Sequence, residues 1–207
     1  MRTQIDYLAD KYCFTERNES PRLRQQWQDV LEECRQTEAG PEERLRIALL
    51  NVDYVTSFEL PFRLLLTRTP QLIAALREEW DISQKNVVFN DKRFGCVYSL
   101  KASLSGVPDT FRYHLSHRIR RVVGNENTSL PYQQVARGVK APRERLKYAL
   151  EAGLLVTALD GLFWFGSQRI AADVLRLRKA GMPVVTTTVE VHDNLTGTTR
   201  KVPAYHL

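Results

Sequence analysis

Apolar side chains recur along this chain at two periods, and each period predicts a different element. In the first part the spacing is helical. Ser20-Pro21 supplies a cap and a first-turn proline for Leu23, Trp27, Val30, Leu31 and Cys34. Gly40-Pro41 opens a second stripe of Leu45, Ala48, Leu49, Val52 and Val55, and Thr69-Pro70 a third of Leu72, Ile73, Leu76 and Trp80. Between Asn86 and Leu100 the pattern shortens to Val87, Val88 and Phe89, then Asn90-Asp91-Lys92, then Phe94, Cys96 and Tyr98, which predicts a hairpin. Gly106-Val107-Pro108-Asp109 interrupts both patterns, so a domain boundary is placed there. Residues 1–109 read as a mainly helical domain for dimerisation or partner binding, and residues 110–207 as a second domain.

Beyond the boundary, Phe111, Leu115, Ile119 and Val122 fall in one arc when residues advance by about 100° each, predicting an amphipathic helix from Phe111 to Val123. Its other side carries Tyr113, His114, His117, Arg118, Arg120 and Arg121, a basic surface able to touch phosphates. Ser129-Leu130-Pro131 starts a short helix through Val135 and Ala136, and Ala141-Pro142 starts another with Leu146, Ala149 and Leu150 that closes at Gly153. Two short helices joined by a tight turn have helix-turn-helix geometry, and the second displays Arg143, Arg145 and Lys147.

Residues 154–165 read two ways. Thr157 caps a helix through Leu159, Leu162, Phe163 and Phe165 to Gly166; alternatively Asp160-Gly161 turns a hairpin whose strand is Leu162–Phe165, the wing of the preceding helices. Ser167 then caps a helix to about Lys179. Ile170, Val174 and Leu177 form its apolar centre, with Arg169, Ala172, Arg176 and Lys179 across from it and Gln168 at one margin. Arg178 falls on the apolar side and is expected to pack its stem or pair locally. Gly181 and Pro183 stop the helix. Val184 to Val191 alternates as a strand, the chain turns over Asp193–Gly197, and a last strand reaches Tyr205 with Arg200 and Lys201 near the tip. The expected fold class is therefore mainly α with some β (α+β): a helical N-terminal domain followed by a winged helix-turn-helix region, which becomes two tandem winged helices if 154–165 is a wing.

Charge sharpens this picture. Residues 1–109 hold 15 Lys and Arg against 17 Asp and Glu, a net of −2, whereas residues 110–207 hold 15 against 7, a net of +8. That asymmetry points to a polyanion partner for the second part. No apolar run reaches the length of a membrane span or a signal core, so the chain reads as a soluble, cytoplasmic protein without a membrane partner. Cys13, Cys34 and Cys96 are odd in number and form no CxxC pair, which fits a reducing compartment. His114 and His117 are three apart, with no third ligand nearby to complete a metal site. The sequence holds no phosphate-binding GxxxxGK, no HExxH and no GxSxG. Neither catalysis nor a cofactor or metal is expected.

The segment TALDGLFWFGSQRIAADVLRLRKAGMPVVT resembles a helix-turn-helix family common in bacteriophages and mobile elements. The shared features are Thr157, Leu159 and Asp160, the helix-closing Gly166, the run Arg169-Ile170-Ala171, and Leu177 through Pro183. Gly161 departs from the alanine usual there, and the likeness covers roughly residues 143–207. It implies double-stranded DNA binding with the helix at 167–179 in the major groove, in a regulator of transcription or replication. Gln168, Arg169 and Arg176 would then lead the contacts, with Ser167 also counted in the DNA-binding set. Ala172 would allow close approach, Lys179 would meet phosphate and Arg200 and Lys201 would act from the wing. An arginine fork discriminates a guanine edge by about 1–3 kcal/mol per good pair. A homodimer is expected from half-site logic. The competing expectation is a protein-interaction adaptor that binds a partner through the winged helix and the acidic N-terminal half.

Overall fold

The computed structural model describes residues 4–9, 14–16, 19–115 and 119–207. The chain divides into two compact units, an N-terminal unit of Lys11–His117 and a C-terminal unit of Met1–Asp10 with Arg118–Leu207. The architecture is α+β, not mainly α with a helical N-terminal domain. Among the described residues no helix is long and apolar enough to cross a membrane.

Strand β1 (Gln4–Ala9) opens the chain but belongs to the C-terminal unit. The N-terminal unit runs β2 (Phe14–Glu16), α1 (Pro21–Gln36), α2 (Pro41–Asn51), β3 (Val55–Thr56), α3 (Leu60–Arg63), α4 (Thr69–Leu76), β4 (Ser83–Phe89), β5 (Arg93–Ser99), β6 (Thr110–Phe111) and β7 (Tyr113–Leu115). Its larger sheet has the order β3-β5-β4-β6, and β2 pairs with β7. Ser20 caps α1 by accepting from the Leu23 N–H, and Leu23, Trp27, Val30 and Cys34 are buried, as the helical stripe predicts. Phe58, Phe89, Phe111 and Tyr113 pack ring to ring, with centroids 5.3–6.0 Å apart.

The C-terminal unit continues with β8 (Ile119–Val123), β9 (Glu126–Asn127), α5 (Ser129–Gly138), α6 (Pro142–Glu151), β10 (Val156–Thr157), α7 (Ala158–Asp160) extended by a π turn (Gly161–Phe165), α8 (Ile170–Lys179), β11 (Val185–Asp193) and β12 (Thr198–His206). Its sheet has the order β10-β12-β11-β1-β8-β9, with β1 parallel to β11. Leu146, Leu150, Val156, Phe165, Ile170, Val174, Leu177 and Tyr205 share one core. Each such side chain contributes about 1.5–3 kcal/mol on leaving water.

Two expected elements are corrected. The described residues of the expected amphipathic helix at 111–123 lie in strands instead (β6, β7 and β8): Phe111 and Tyr113 point into the core while Arg112 and His114 are exposed, a period of two. The helical wheel misled because it counted Tyr113 and Arg121 as polar-face residues, whereas both are buried. Residues 158–165 are helical, so no wing follows α6 and the tandem-wing arrangement falls away. Thr157 and Asp160 close a reciprocal capping box that starts this helix. A side chain at Gly161 would lie 2.8 Å from Ile170 Cδ1 and 3.3 Å from its Cβ, so the glycine lets the turn meet α8 closely.

The two units repeat one plan. Each places two helices, a two-residue strand, a short helix, another helix and a hairpin in that order, and the short strand pairs with the hairpin's second strand (β3 with β5, β10 with β12). At an offset of 101, 12 of the 37 residues from Pro41 to Arg77 are identical to their counterparts from Pro142 to Arg178. The details repeat too. Arg44 donates to the carbonyls of Ala39 and Leu64, and Arg145 to those of Val139 and Phe165. Leu65 and Gly166, offset by 101, both take the left-handed backbone that ends the short helix. Beside each hairpin lies a parallel strand: β1 against β11, β6 against β4. Strand β1 then pairs antiparallel with β8 as β7 does with β2. These added strands are exchanged, since β1 precedes the N-terminal repeat and completes the C-terminal unit, whereas β6 and β7 precede β8 and complete the N-terminal unit.

Candidate nucleic-acid interface

Helix α8 is fixed from its inner side. Ile170, Val174 and Leu177 are buried, and at its end Gly181 is left-handed while the Met182 N–H bonds the Leu177 carbonyl at 3.0 Å. Its regular turns begin at Ile170, later than the expected Ser167 cap, because Ser167 is buried and donates to Asp173 at 2.8 Å. Arg169 takes the cap position instead, and its carbonyl accepts from the N–H groups of Ala172 and Asp173. Gln168, Arg169, Ala172, Arg176 and Lys179 are all exposed. Arg176 lies 3.6 Å from Asp173, a loose pair with the guanidinium 65% exposed. Arg178 bonds the Val184 carbonyl at 2.9 Å and Thr186 at 2.7 Å, clamping the helix end to the next strand.

The other sequence-predicted contacts separate by environment. Lys201 is exposed on β12. Arg200 lies 2.7 Å from the fully buried Asp193 carboxylate, which also accepts from the Leu195 N–H, so this pair closes the hairpin turn. On α6, Arg143 is exposed, Lys147 sits 3.9 Å from Glu151, and Arg145 spends its donors on the two carbonyls named above. Arg118 lies outside the described residues. Arg121 is on no surface. It is 4% exposed on β8, its Nε is 3.4 Å from Asp160, its Nη2 donates to the Leu155 carbonyl, and its guanidinium stacks 4.5 Å over Tyr132.

Around Arg121 lies a buried network that the sequence reading missed. The Tyr7 hydroxyl, brought in on the exchanged β1, meets Thr157 Oγ1 at 2.5 Å, and Thr157 donates to Asp160 at 3.0 Å. Burial pushes the Asp160 carboxyl up, with Arg121 pulling against it; burial and then the Asp160 charge hold the Tyr7 hydroxyl well above its ordinary value. Burial works against the charge on Arg121, yet Asp160 and the two tyrosines more than offset it and raise its pKa. The N-terminal unit holds a counterpart. Tyr113, on the exchanged β7, donates to Thr56 at 2.8 Å; Thr56 and Glu59 each accept the other's backbone N–H in the turn that leads into α3; and Arg63 bridges Glu59 and Glu19 while stacking 4.7 Å over Trp27. In both units an arginine on an aromatic ring neutralises the buried acid, supplied by β8 in one and α3 in the other. Asp160 has no exposed surface and Glu59 almost none, so no substrate reaches either. The signal that could have found both networks is the pair Thr56-x-x-Glu59 and Thr157-x-x-Asp160 at one offset.

No known protein family matches the chain, nor does any curated protein or solved structure.

Proposed function

We propose that this protein binds double-stranded DNA through α8 and the following hairpin, as a regulator of transcription or replication in a phage or mobile element. The observation that carries this reading is the outward face of α8. Gln168, Arg169, Ala172, Arg176 and Lys179 are exposed on a helix whose other side is locked into the core, and Lys201 is exposed on the adjoining hairpin. Helix, short strand, helix, helix and hairpin is also the order of a winged helix, in which the last helix enters the major groove. Charge agrees: the C-terminal unit holds 15 Lys and Arg against 9 Asp and Glu, a net of +6, and the N-terminal unit 15 against 15.

In this reading Arg169 and Gln168 meet base edges at the start of α8, Ala172 lets the helix approach, and Arg176, Lys179 and Lys201 meet phosphate. Ser167, Arg145, Arg121 and Arg200 hold the fold instead. Selecting bound duplexes from a random pool, then titrating the preferred duplex at several salt concentrations, tests it. Log affinity is expected to fall with log salt at a slope near −0.9 per phosphate neutralised. Arg169→Ala is expected to weaken the preferred site by about 1–3 kcal/mol and random duplex far less. Absence of duplex binding at low salt, or a salt-insensitive complex with a protein partner alone, overturns the reading.

A further inference from the structure

Resting on that reading, we propose that the N-terminal unit is a second duplex-binding module, so that one chain grips two segments of one DNA through Arg169 in one unit and Arg68 with the tip of the β4–β5 hairpin in the other. The repeated plan carries the inference. Arg68 and Arg169 are identical residues at an offset of 101, both exposed, both at the cap position of equivalent helices. The Arg68 carbonyl accepts from Gln71 and Leu72 as the Arg169 carbonyl does from Ala172 and Asp173. Neither guanidinium has a hydrogen-bond or ionic partner among the described residues. Behind them Ile73 and Leu76 are buried as Val174 and Leu177 are, so the two arginines are presented by the same scaffold.

The hairpins correspond as well. Counting back along the ladders from Tyr98 and Tyr205, which face Val55 and Val156, brings Arg93 opposite Phe89 and Arg200 opposite Val191. Phe89 and Val191 each lie beside the exchanged parallel strand. The equivalent arginines are used differently. Arg200 is tied to Asp193, whereas Arg93 and its neighbour Lys92 are exposed and without ionic partners among the described residues. Next to them Phe94 is 87% exposed, an extreme value for a phenylalanine on a hairpin. An exposed aromatic ring beside two cations at a hairpin tip suits a nucleic acid: the cations meet phosphate and the ring stacks on sugar or enters a base step in the minor groove.

The two modules are unequal. Where α8 carries Arg176 and Lys179, the same positions hold Ala75 and Glu78 in the N-terminal unit, so its phosphate affinity rests on the hairpin tip. One segment of the site is therefore held more weakly than the other. The homodimer expected from half-site logic is then unnecessary, because the chain carries both modules itself.

Hydroxyl-radical footprinting of the full-length protein on its selected duplex tests this, with circular dichroism confirming that each variant is folded. Two protected segments are expected from one chain per duplex. Arg68→Ala should erase one of them and Arg169→Ala the other. Lys92→Ala with Arg93→Ala should reduce the salt slope by about 1–2, since each phosphate contact carries about 0.9. Phe94→Ala should weaken binding on the order of tenfold without changing that slope. A single protected segment, lost in Arg169→Ala and untouched by the Arg68, Lys92/Arg93 and Phe94 variants, overturns the inference and leaves the function of α8 standing. No protection by any form at low salt removes both.

Discussion

At the scale of single residues, the informative side chains are charged groups that folding has hidden. Arg121 was legible in the sequence only as a cation, and counting it on a polar face turned a strand into a helix. Its actual surroundings are a carboxylate, a tyrosine ring and a carbonyl. Removing one partner of such a pair leaves a buried charge uncompensated, so Arg121→Leu is expected to cost about 3–5 kcal/mol in urea unfolding at neutral pH. The pH dependence follows from Asp160, whose folded pKa is raised. Its bound proton favours the folded state, fully so below the unfolded carboxyl pKa, and that contribution is lost as pH rises through the folded value. Without Arg121 the carboxyl is pushed higher still. The deficit of Arg121→Leu should therefore shrink as pH is lowered, and a deficit constant with pH would show that lost packing alone is responsible. Cys34 gives a second check. Burial pushes its thiol up to about 11, so its contribution to stability is complete below the ordinary thiol value of 9.0 and is lost as pH rises through about 11. Site-resolved alkylation at pH 8 should leave Cys34 unmodified in the native protein and label it in urea.

Elements set by strong punctuation were readable, and elements set by tertiary pairing were not. Proline in the first turn marks α1, α2, α4 and α6, and glycine marks the ends of the π turn and α8, because these residues fix local backbone whatever surrounds them. The strands β3, β6, β9 and β10 have two residues each, too few for any alternation to register. The segment 154–165 stayed ambiguous for a different reason. Asp160-Gly161 carries hairpin chemistry, but Asp160 is committed to the Thr157 capping box and Gly161 to the close approach of Ile170. Gly161→Ala would ordinarily favour a helix; here it should destabilise the C-terminal unit by about 1–3 kcal/mol through overpacking. Combining it with Ile170→Val should recover part of that loss, a coupling that a double-mutant cycle reads directly.

For the whole molecule, the outward arginines of α8 could be nominated from a wheel, whereas the duplication that gives them counterparts was hidden by divergence. Alanine and glutamate stand where the second copy has arginine and lysine, and a two-residue strand separates the recognisable helices. Strand exchange hid it further, because contiguous sequence is not contiguous structure here. Strand β1 lies between β11 and β8, so the first residues of the chain complete the sheet behind the hairpin that follows α8. Deleting residues 1–10 should therefore spare the N-terminal unit that follows them in sequence and loosen the C-terminal unit instead. Hydrogen exchange would show it: amides of β8 and β11 that bond β1 lose protection, the buried hydroxyl partner of Thr157 is gone, and α1 and α2 exchange as before. Loss of protection in α1 and α2 with β11 unchanged would contradict the exchange. By the same logic Tyr7→Phe should lower the stability of the C-terminal unit and Tyr113→Phe that of the N-terminal unit, each by about 1–2 kcal/mol, since each leaves a buried threonine short of one partner.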